Sequence, residues 1–517
     1  MTSTSSNFNG TVRVFQCERV AATNTEDVQK CILDAAKRNR PIHVIGNGYS
    51  FNNIGSENGS ILLNLSQHMN RILNIDTCTF TVTVEAGVTI QNLCEELAKH
   101  NMALSNTPHF GGMTLGAAIA TGIHGTCGKM CLDTFSSAIV ELCIVDGRGM
   151  VSKLHALQSL TLGLYGVICT VTLNTVPLYM VSHRATLFTF PAAYILKEAH
   201  ACSASTKHQQ RVQKFNELQS AVLINNRVHD FVMYKYLLGN FTETCMKETF
   251  DIIIEPTAVV VGTSLLNTTP TSSSSSQHAA KCDTKSTTSA DSLENIIEKC
   301  VSTSKTLVKY YFPAHPILTN GLWRNQTYVF LCERNQIARY YEAMMGPCTM
   351  STHAEIEWAV PIASLPNVLS EIEDCVKAIR TQCDVENTIT RDFWSQPVEC
   401  HIRFSPSDIV PGHAAYHPRT KQRLFALEHK RIEYAWVNLN VRQHIEQAAH
   451  AFRCIEDIFM KHNGRPHWSK CWSSDARVWK YIKQIHRVYL HDLKQQCRYH
   501  DPQKLFHRHH FAETLLY

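Results

Sequence analysis

Apolar and polar positions follow two different periods along the first third of the chain, and the alternation predicts strands and helices in turn. Short β-branched runs at Ile42 to Ile45 and Ile61 to Leu65 read as buried strands. Phe80 to Val84 alternates polar and apolar residues before Gly87, and Thr89 can cap a helix whose Ile90, Leu93, Cys94 and Leu97 share one face. Ile139 to Val145 is a further strand turned by Asp146-Gly147, and Val167 to Leu173 another, closed by Pro177. From about residue 185 the pattern changes. Asn267 to Ala290 is rich in serine and threonine, with five consecutive serines from Ser272 to Ser276, and has too little apolar surface to order itself. Beyond it the pattern predicts a strand over His353 to Ile362 and an amphipathic helix over Leu365 to Ile379. A strand over Arg431 to Leu439 follows, then a long helix over Val441 to His462 ended by Asn463-Gly464. Mixed strands and helices of this kind predict an α+β nucleotide-binding domain, with a second domain after it.

Length and composition narrow the class. At 517 residues two domains are expected, and 44% hydrophobic with 18% charged residues describes a globular chain. The net charge of +5 comes without the basic clusters that track phosphate backbones, which argues against a nucleic-acid partner. The 20 cysteines are scattered without CxxC pairs and read as reduced thiols. The opening MTSTSSNFNG lacks the features of a secretory signal, and no apolar run approaches the ~20 residues of a membrane-spanning helix. The closing Leu515-Leu516-Tyr517 is not a peroxisomal signal. A soluble intracellular protein is expected, with cytoplasm, mitochondrion and a peroxisome-like organelle all open.

Three glycine-bearing segments carry the candidate chemistry. After the strand at Ile42 to Ile45 comes Gly46-Asn47-Gly48-Tyr49-Ser50, a turn suited to positive φ and close backbone approach to a ligand. The second runs from Gly111 to Lys129, GGMTLGAAIATGIHGTCGK. Its small residues at Gly116, Ala117, Ala118, Gly122 and Gly125 let backbone lie against a flat ring, though tight helix packing would give the same composition. The third, Gly163-Leu-Tyr-Gly-Val-Ile-Cys-Thr-Val-Thr-Leu, is a glycine turn entering a buried strand.

In this order and spacing the three segments resemble those of the vanillyl-alcohol-oxidase-type flavoproteins, in particular the aldonolactone oxidases acting on L-gulono-, L-galactono- or D-arabinono-1,4-lactone. The resemblance implies an FAD site built from Gly46, Asn47, Gly48, Tyr49 and Ser50, from Gly112, Thr114, Gly116, Thr121, Gly122, His124 and Gly125, and from Gly166 and Ile168. Many relatives carry at the position of Tyr49 a histidine bonded covalently to the flavin. A tyrosine cannot form that bond, so a non-covalent flavin is expected, FAD rather than FMN because the adenine-side segment is present.

The C-terminal half extends the resemblance. The family carries a Glu-x-Arg pair on a strand, and this chain reads Pro397-Val-Glu399-Cys-His401-Ile-Arg403-Phe. Either two residues are inserted or His401 replaces the glutamate. In a regular strand Glu399, His401 and Arg403 project from one face. Arg403 would stabilise developing oxyanion or enolate charge, and Glu399 would hold sugar hydroxyls and could take a proton. Gly464-Arg-Pro-His467-Trp-Ser-Lys470 is similar to the family's GRPHWxK, with His467 or Lys470 near the flavin's carbonyl edge. Asp501-Pro502 and Phe506 resemble its closing DPxxxF. The nearby His507, His509 and His510 read as a fraying tail, and no metal is expected.

The expected fold is therefore α+β: a two-subdomain flavin-binding domain at 10–180, an α+β cap domain with an antiparallel sheet at 181–460 carrying a disordered insert at 267–290, and a strip at 461–517 returning to the flavin. The activity implied is oxidation of an aldono-1,4-lactone at C2, hydride passing to flavin N5, to give ascorbate or a close analogue. Dioxygen or cytochrome c would be the electron acceptor. A sibling oxidase of alditols or 2-hydroxy acids, or a non-catalytic flavin-fold binding protein, are the alternatives.

Overall fold

The computed structural model describes residues 3–189 apart from gaps at 9, 11, 55–56 and 127–133, then 231–238, 244–252, 334–345, 354–386, 398–416, 433–441 and 445–517. The Ser/Thr-rich stretch 267–290 lies outside these residues. The first sheet joins β1 (Ser3–Ser6), β2 (Arg13–Ala21), β3 (Ile42–Ile45) and β4 (Ile61–Asn64) in the order β1-β2-β4-β3. Strands β2, β4 and β3 run parallel, and β1 is antiparallel to β2. Helix α1 (Thr25–Lys37) supplies the crossover a parallel pair needs. It starts where Asn24 accepts the Asp27 N–H at 2.9 Å, with Glu26 and Asp27 in its first turn, and its Val28, Ile32 and Ala35 are buried.

The second sheet is antiparallel, in the order β5 (Ile72–Asp76), β6 (Thr81–Glu85), β10 (Gly166–Asn174), β8 (Ile139–Asp146), β9 (Val151–His155). A two-stranded ribbon pairs β7 (Met102–Ala103) with β11 (Val176–Pro177). Helix α2 (Ile90–Lys99) begins at the expected cap, Thr89 accepting the Asn92 N–H at 3.2 Å, and buries Ile90, Leu93, Cys94 and Leu97 as the periodicity requires. The short α3 (Leu115–Ala120) lies in the second glycine-rich segment.

The third sheet has eight antiparallel strands: β12 (Met180–Thr189), β13 (Phe231–Leu238), β14 (Thr244–Ile252), β15 (Arg334–Arg339), β16 (Ala354–Pro361), β17 (Val398–Ser405), β18 (Tyr434–Val441) and β19 (Arg465–Pro466). Their order is β15-β12-β14-β13-β17-β18-β16-β19. Helix α4 (Tyr340–Met344) follows β15, and its Tyr340 hydroxyl accepts the Leu104 N–H at 2.9 Å, tying it to the chain just after β7. Helices α5 (Leu365–Glu386) and α6 (Ile445–Lys461) pack on each other. Helix α6 stops at Asn463, φ +58°, and Gly464 N–H returns to the Phe459 carbonyl at 2.8 Å. The α+β class is thus the one the pattern predicted, and the antiparallel third sheet the one the resemblance implied.

The C-terminal tail departs from expectation. It does not fray: it forms α7 (Ala476–Ile485), α8 (Arg487–His500) and α9 (His510–Leu516), and the link between α8 and α9 lies on β3, where the Ile42 N–H donates to the Leu505 carbonyl at 2.9 Å. Asp501 takes the N–H groups of Leu505 and Phe506 at 2.9 and 2.8 Å, and its carboxylate lies 3.1 Å from His507 Nδ1. His507 and His509 are buried, and the His509 ring stands edge-on to that of His43 at 4.6 Å. Burying Phe511, Leu515 and Leu516 supplies the apolar area that orders the tail, which the run of histidines concealed.

Candidate active site

The first candidate site forms where β3 ends. Gly48 has φ +76°, so the turn after Ile45 needs glycine there. At Gly46 a Cβ would collide with the Thr114 side chain and come within 3.1 Å of Ala117 Cβ, so the first loop and the second glycine-rich segment touch through this residue. Asn47 Nδ2 donates to the Gly112 carbonyl at 2.9 Å and fastens the same contact. Between them and β10 lies a cavity of about 420 Å³ walled by Gly46, Asn47, Gly48, Tyr49, Ser50, Thr114, Gly116, Thr121, Gly166 and Ile168. No described acceptor takes the backbone N–H of Asn47 or Gly48. Free N–H groups on a glycine turn facing a cleft suit the diphosphate of a dinucleotide, and the small-residue wall suits the rest of FAD. The residues present therefore fit that group.

Four of the residues expected at the cofactor do not line this cavity. Gly112 contributes its carbonyl to Asn47, Gly122 packs near His413, and a Cβ at Gly125 would meet Asn106 and the Thr107 carbonyl. His124 lies in a second cluster, on the third sheet.

That cluster follows from strand register. Glu357 pairs with Asn438, and His401 pairs with Asn438 from the other side; Glu355 and Glu399 flank Asn440 in the same way, while Arg403 faces Trp436. Alternation therefore puts Glu355, Glu357, Trp436, Asn438, Asn440, Glu399, His401 and Arg403 on one face of three adjacent strands. The other face carries Ile356, Trp358, Val360, Val437, Leu439, Cys400, Ile402 and Phe404, which are buried in the core. The side chain of Glu399 lies outside the described residues.

Glu357 is 1% exposed and is the centre of the cluster. Arg403 donates from Nη2 to its Oε1, His124 Nε2 stands 3.3 Å from the same oxygen, and Lys470 Nζ is 3.9 Å from Oε2. Lys470 also pairs with Glu355 at 2.6 Å, and Asn438 donates to Glu355. Two carboxylates and two fixed cations balance, which buried charge requires. Burial alone would raise the Glu357 pKa; the Arg403 guanidinium, with His124 and Lys470, outweighs it and holds the carboxyl well below its usual range. Desolvation pushes His124 down to about 4, against the pull of Glu357, and takes His467 well below the ordinary imidazole value. Both rings are thus neutral at pH 7.

His124 has an acceptor at each ring nitrogen, the Gly125 carbonyl 3.0 Å from Nδ1 and the Glu357 carboxylate 3.3 Å from Nε2. His467 Nδ1 accepts the Ser469 N–H at 3.2 Å, so its proton sits on Nε2 and the ring is a donor. Trp436 stacks on His124 with ring centroids 3.5 Å apart, closing one side. Three buried polar atoms around Glu357 have no hydrogen-bond partner among the described residues: Arg403 Nε, His467 Nε2 and Asn438 Oδ1. Such atoms are rare inside a folded protein unless a ligand meets them. His124, Glu357 and His467 offer ligand atoms within 4.8 Å of one another, yet Arg403 and Lys470 already neutralise that carboxylate, which disfavours a metal ion there.

The two clusters are joined by the strip after α6. Ser469 lines the cavity, its carbonyl accepts the Phe51 N–H at 2.8 Å, and Asn52 Nδ2 donates to the carbonyls of Trp468 and Lys470 at 2.7 and 2.9 Å. The structure thus brings Arg403, His467 and Lys470 together, with His124 added. Glu357, Glu355 and Asn438 were missed from the sequence. The signal was available: Ala354-Glu-Ile-Glu-Trp-Ala-Val puts two carboxylates two residues apart in an otherwise apolar strand.

Known proteins resemble this chain in both halves. Residues 19–155 match the FAD binding domain family, and residues 203–514 match the D-arabinono-1,4-lactone oxidase family. L-gulonolactone oxidase of Bos taurus is 33% identical over 184 residues, 34% of this chain and 40% of that protein. L-gulono-1,4-lactone dehydrogenase of Mycobacterium tuberculosis is 32% identical over 170 residues, 32% of this chain and 39% of the relative. The chain thus matches about two fifths of the length of these relatives. In fold it is similar to the cholesterol oxidase from B. sterolicum, with a TM-score of 0.65 at 15% identity, covering 100% of this chain and 97% of that one. No helix among the described residues is long and apolar enough to cross a membrane. With an FAD-binding domain of the vanillyl-alcohol-oxidase type ahead of a match covering most of the remaining sequence, the chain belongs to the D-arabinono-1,4-lactone oxidase family.

Proposed function

We propose that this chain oxidises an aldono-1,4-lactone at C2, giving ascorbate or a close analogue. One observation carries the reading: a charge-balanced group, Arg403 and Glu357 buried and Lys470 and Glu355 partly so, meets the strip whose Ser469 lines the cavity, and Arg403 Nε, His467 Nε2 and Asn438 Oδ1 in it have no partner among the described residues. Bound FAD supplies the two-electron acceptor for the hydride leaving C2. Arg403, held on Glu357, offers fixed positive charge to the C2 oxygen as its hydroxyl proton is lost, before the hydride departs and leaves a carbonyl. His467, neutral with its proton on Nε2, donates to a ligand oxygen; Asn438 Oδ1 accepts from a sugar hydroxyl. Glu357 is too enclosed to touch substrate and acts by positioning Arg403 and His124. Glu399 stands at a register position on the same face and is the further candidate for holding hydroxyls or taking the proton.

The FAD is held without a covalent bond at Tyr49, whose ring packs against Phe8 and Phe110 at 5.2 and 4.5 Å. Acid precipitation should therefore leave the yellow colour in solution. The described cysteines are free thiols, which favours a reducing compartment. Dioxygen or cytochrome c is the reoxidant. Anaerobic titration with L-gulono-, L-galactono- and D-arabinono-1,4-lactone tests the reading: one of them should bleach the oxidised flavin band. A flavin band that none of the three bleaches overturns it.

A further inference from the structure

The wall of the FAD cavity is nearly without charge. Of the described residues that line it, Arg19 alone carries an ionised side chain. The diphosphate of FAD brings about two negative charges, and the loop N–H groups offer only partial charges to meet them. Arg19 lies on β2, and its Nη2 donates to Ser5 Oγ at 2.6 Å, so the head is held at the cavity by the N-terminal strand. The same N-terminal segment shapes the loop. Phe8 N–H donates to the Gly48 carbonyl at 2.9 Å, and Asn7 Nδ2 to the Ser50 carbonyl at 3.0 Å. Two loop carbonyls that would repel an anion are thereby occupied from outside. Asn7 is itself fixed by Val12, whose N–H reaches Oδ1 at 3.0 Å. Phe8 packs on Tyr49 and Phe51, with ring centroids 5.2 Å apart in each case.

We propose that Arg19, anchored on Ser5 by the N-terminal strand, is the cation of the cofactor's diphosphate site. The inference rests on FAD being the ligand of this cavity. It assigns a role to a segment that the glycine motifs do not include, and it makes FAD affinity depend on ionic strength through one side chain.

Apoprotein titrated with FAD and with riboflavin, followed by flavin fluorescence at low and high salt, tests it. Arg19→Ala should weaken FAD by about tenfold or more and flatten its salt dependence, while riboflavin, which has no phosphate, binds as to wild type. Arg19→Lys should recover part of the loss, and Ser5→Ala should cost less than Arg19→Ala because the charge remains. FAD binding within twofold of wild type in Arg19→Ala overturns the proposal. So does an equal loss of riboflavin, or a Ser5→Ala loss matching that of Arg19→Ala, since either makes Arg19 a packing element. A wild-type apoprotein that takes up no FAD overturns the cofactor reading and this one with it.

Discussion

The glycine-walled cavity and the cluster on the third sheet are neighbours built on opposite plans. The cavity is made from backbone: glycines, small residues and loop N–H groups from short contiguous stretches, with Arg19 the one ionised side chain among its described walls. The cluster is made from side chains. Arg403, Glu357, His124, Asn438 and Lys470 come from five separate stretches, and their packing holds the Glu357 carboxyl and the His124 ring below their ordinary pKa values. A backbone site binds by shape and tolerates side-chain change except where a Cβ intrudes or, at Arg19, where the one charge is lost. A side-chain site works by preorganised charge and fails with the loss of one member.

The comparison can be broken at its strongest point first. Arg403→Ala should lower kcat/KM for the lactone on the order of 10²–10³-fold while the flavin spectrum stays as in wild type. Near-normal turnover would return Arg403 to sheet packing. In the cavity the expected loss is of a different kind. Gly46→Val overpacks the junction with Thr114 and Ala117, and a cost of about 1–3 kcal/mol should reduce FAD affinity roughly 5- to 100-fold, measured as flavin bound per protein after dialysis. The cluster itself should persist, so the residual holoenzyme should turn over normally; a low kcat in that fraction would mean the two sites are not separable.

The smallest effect concerns the joint between them. Glu456 on α6 is buried and accepts the Ser473 N–H and hydroxyl at 2.5 and 2.6 Å, three residues after Lys470. Burial pushes its carboxyl up to about 7, above the unfolded 4.5, with Ser473 and Arg477 opposing. The folded state thus holds this proton more tightly than the unfolded chain. The stabilisation is complete below about pH 4.5 and is lost as pH rises through 7. Thermal unfolding midpoints should fall between pH 5 and 8, and Glu456→Gln should reduce that slope. An unchanged slope would show that Glu456 titrates normally.

How much of this was legible follows from the same contrast. The loop Gly46 to Ser50 could be found because turns and close approach need glycine at adjacent positions, and the α2 cap and its buried face could be read from spacing alone. Arg403, His467 and Lys470 were found through resemblance. Glu357 was not, because its importance comes from lying across β18 from Arg403, and pairing between distant strands leaves little trace in one sequence. The tail misled for a related reason: His507 and His509 look solvated until Asp501, His43 and the burial of Phe511 are seen around them.

Local backbone requirements, and the alternation that makes one strand face polar and the other apolar, are written in consecutive residues, so the sequence by itself determined the glycine turn after β3, the cap and buried face of α2, and the α+β class, while α5 runs on to Glu386 and α6 starts only at Ile445. Tertiary structure decided which carboxylate Arg403 meets, which nitrogen of His467 holds the proton, and that Arg19 faces the cavity. Those outcomes depend on strand register and on desolvation, and both exist only once distant segments have packed together.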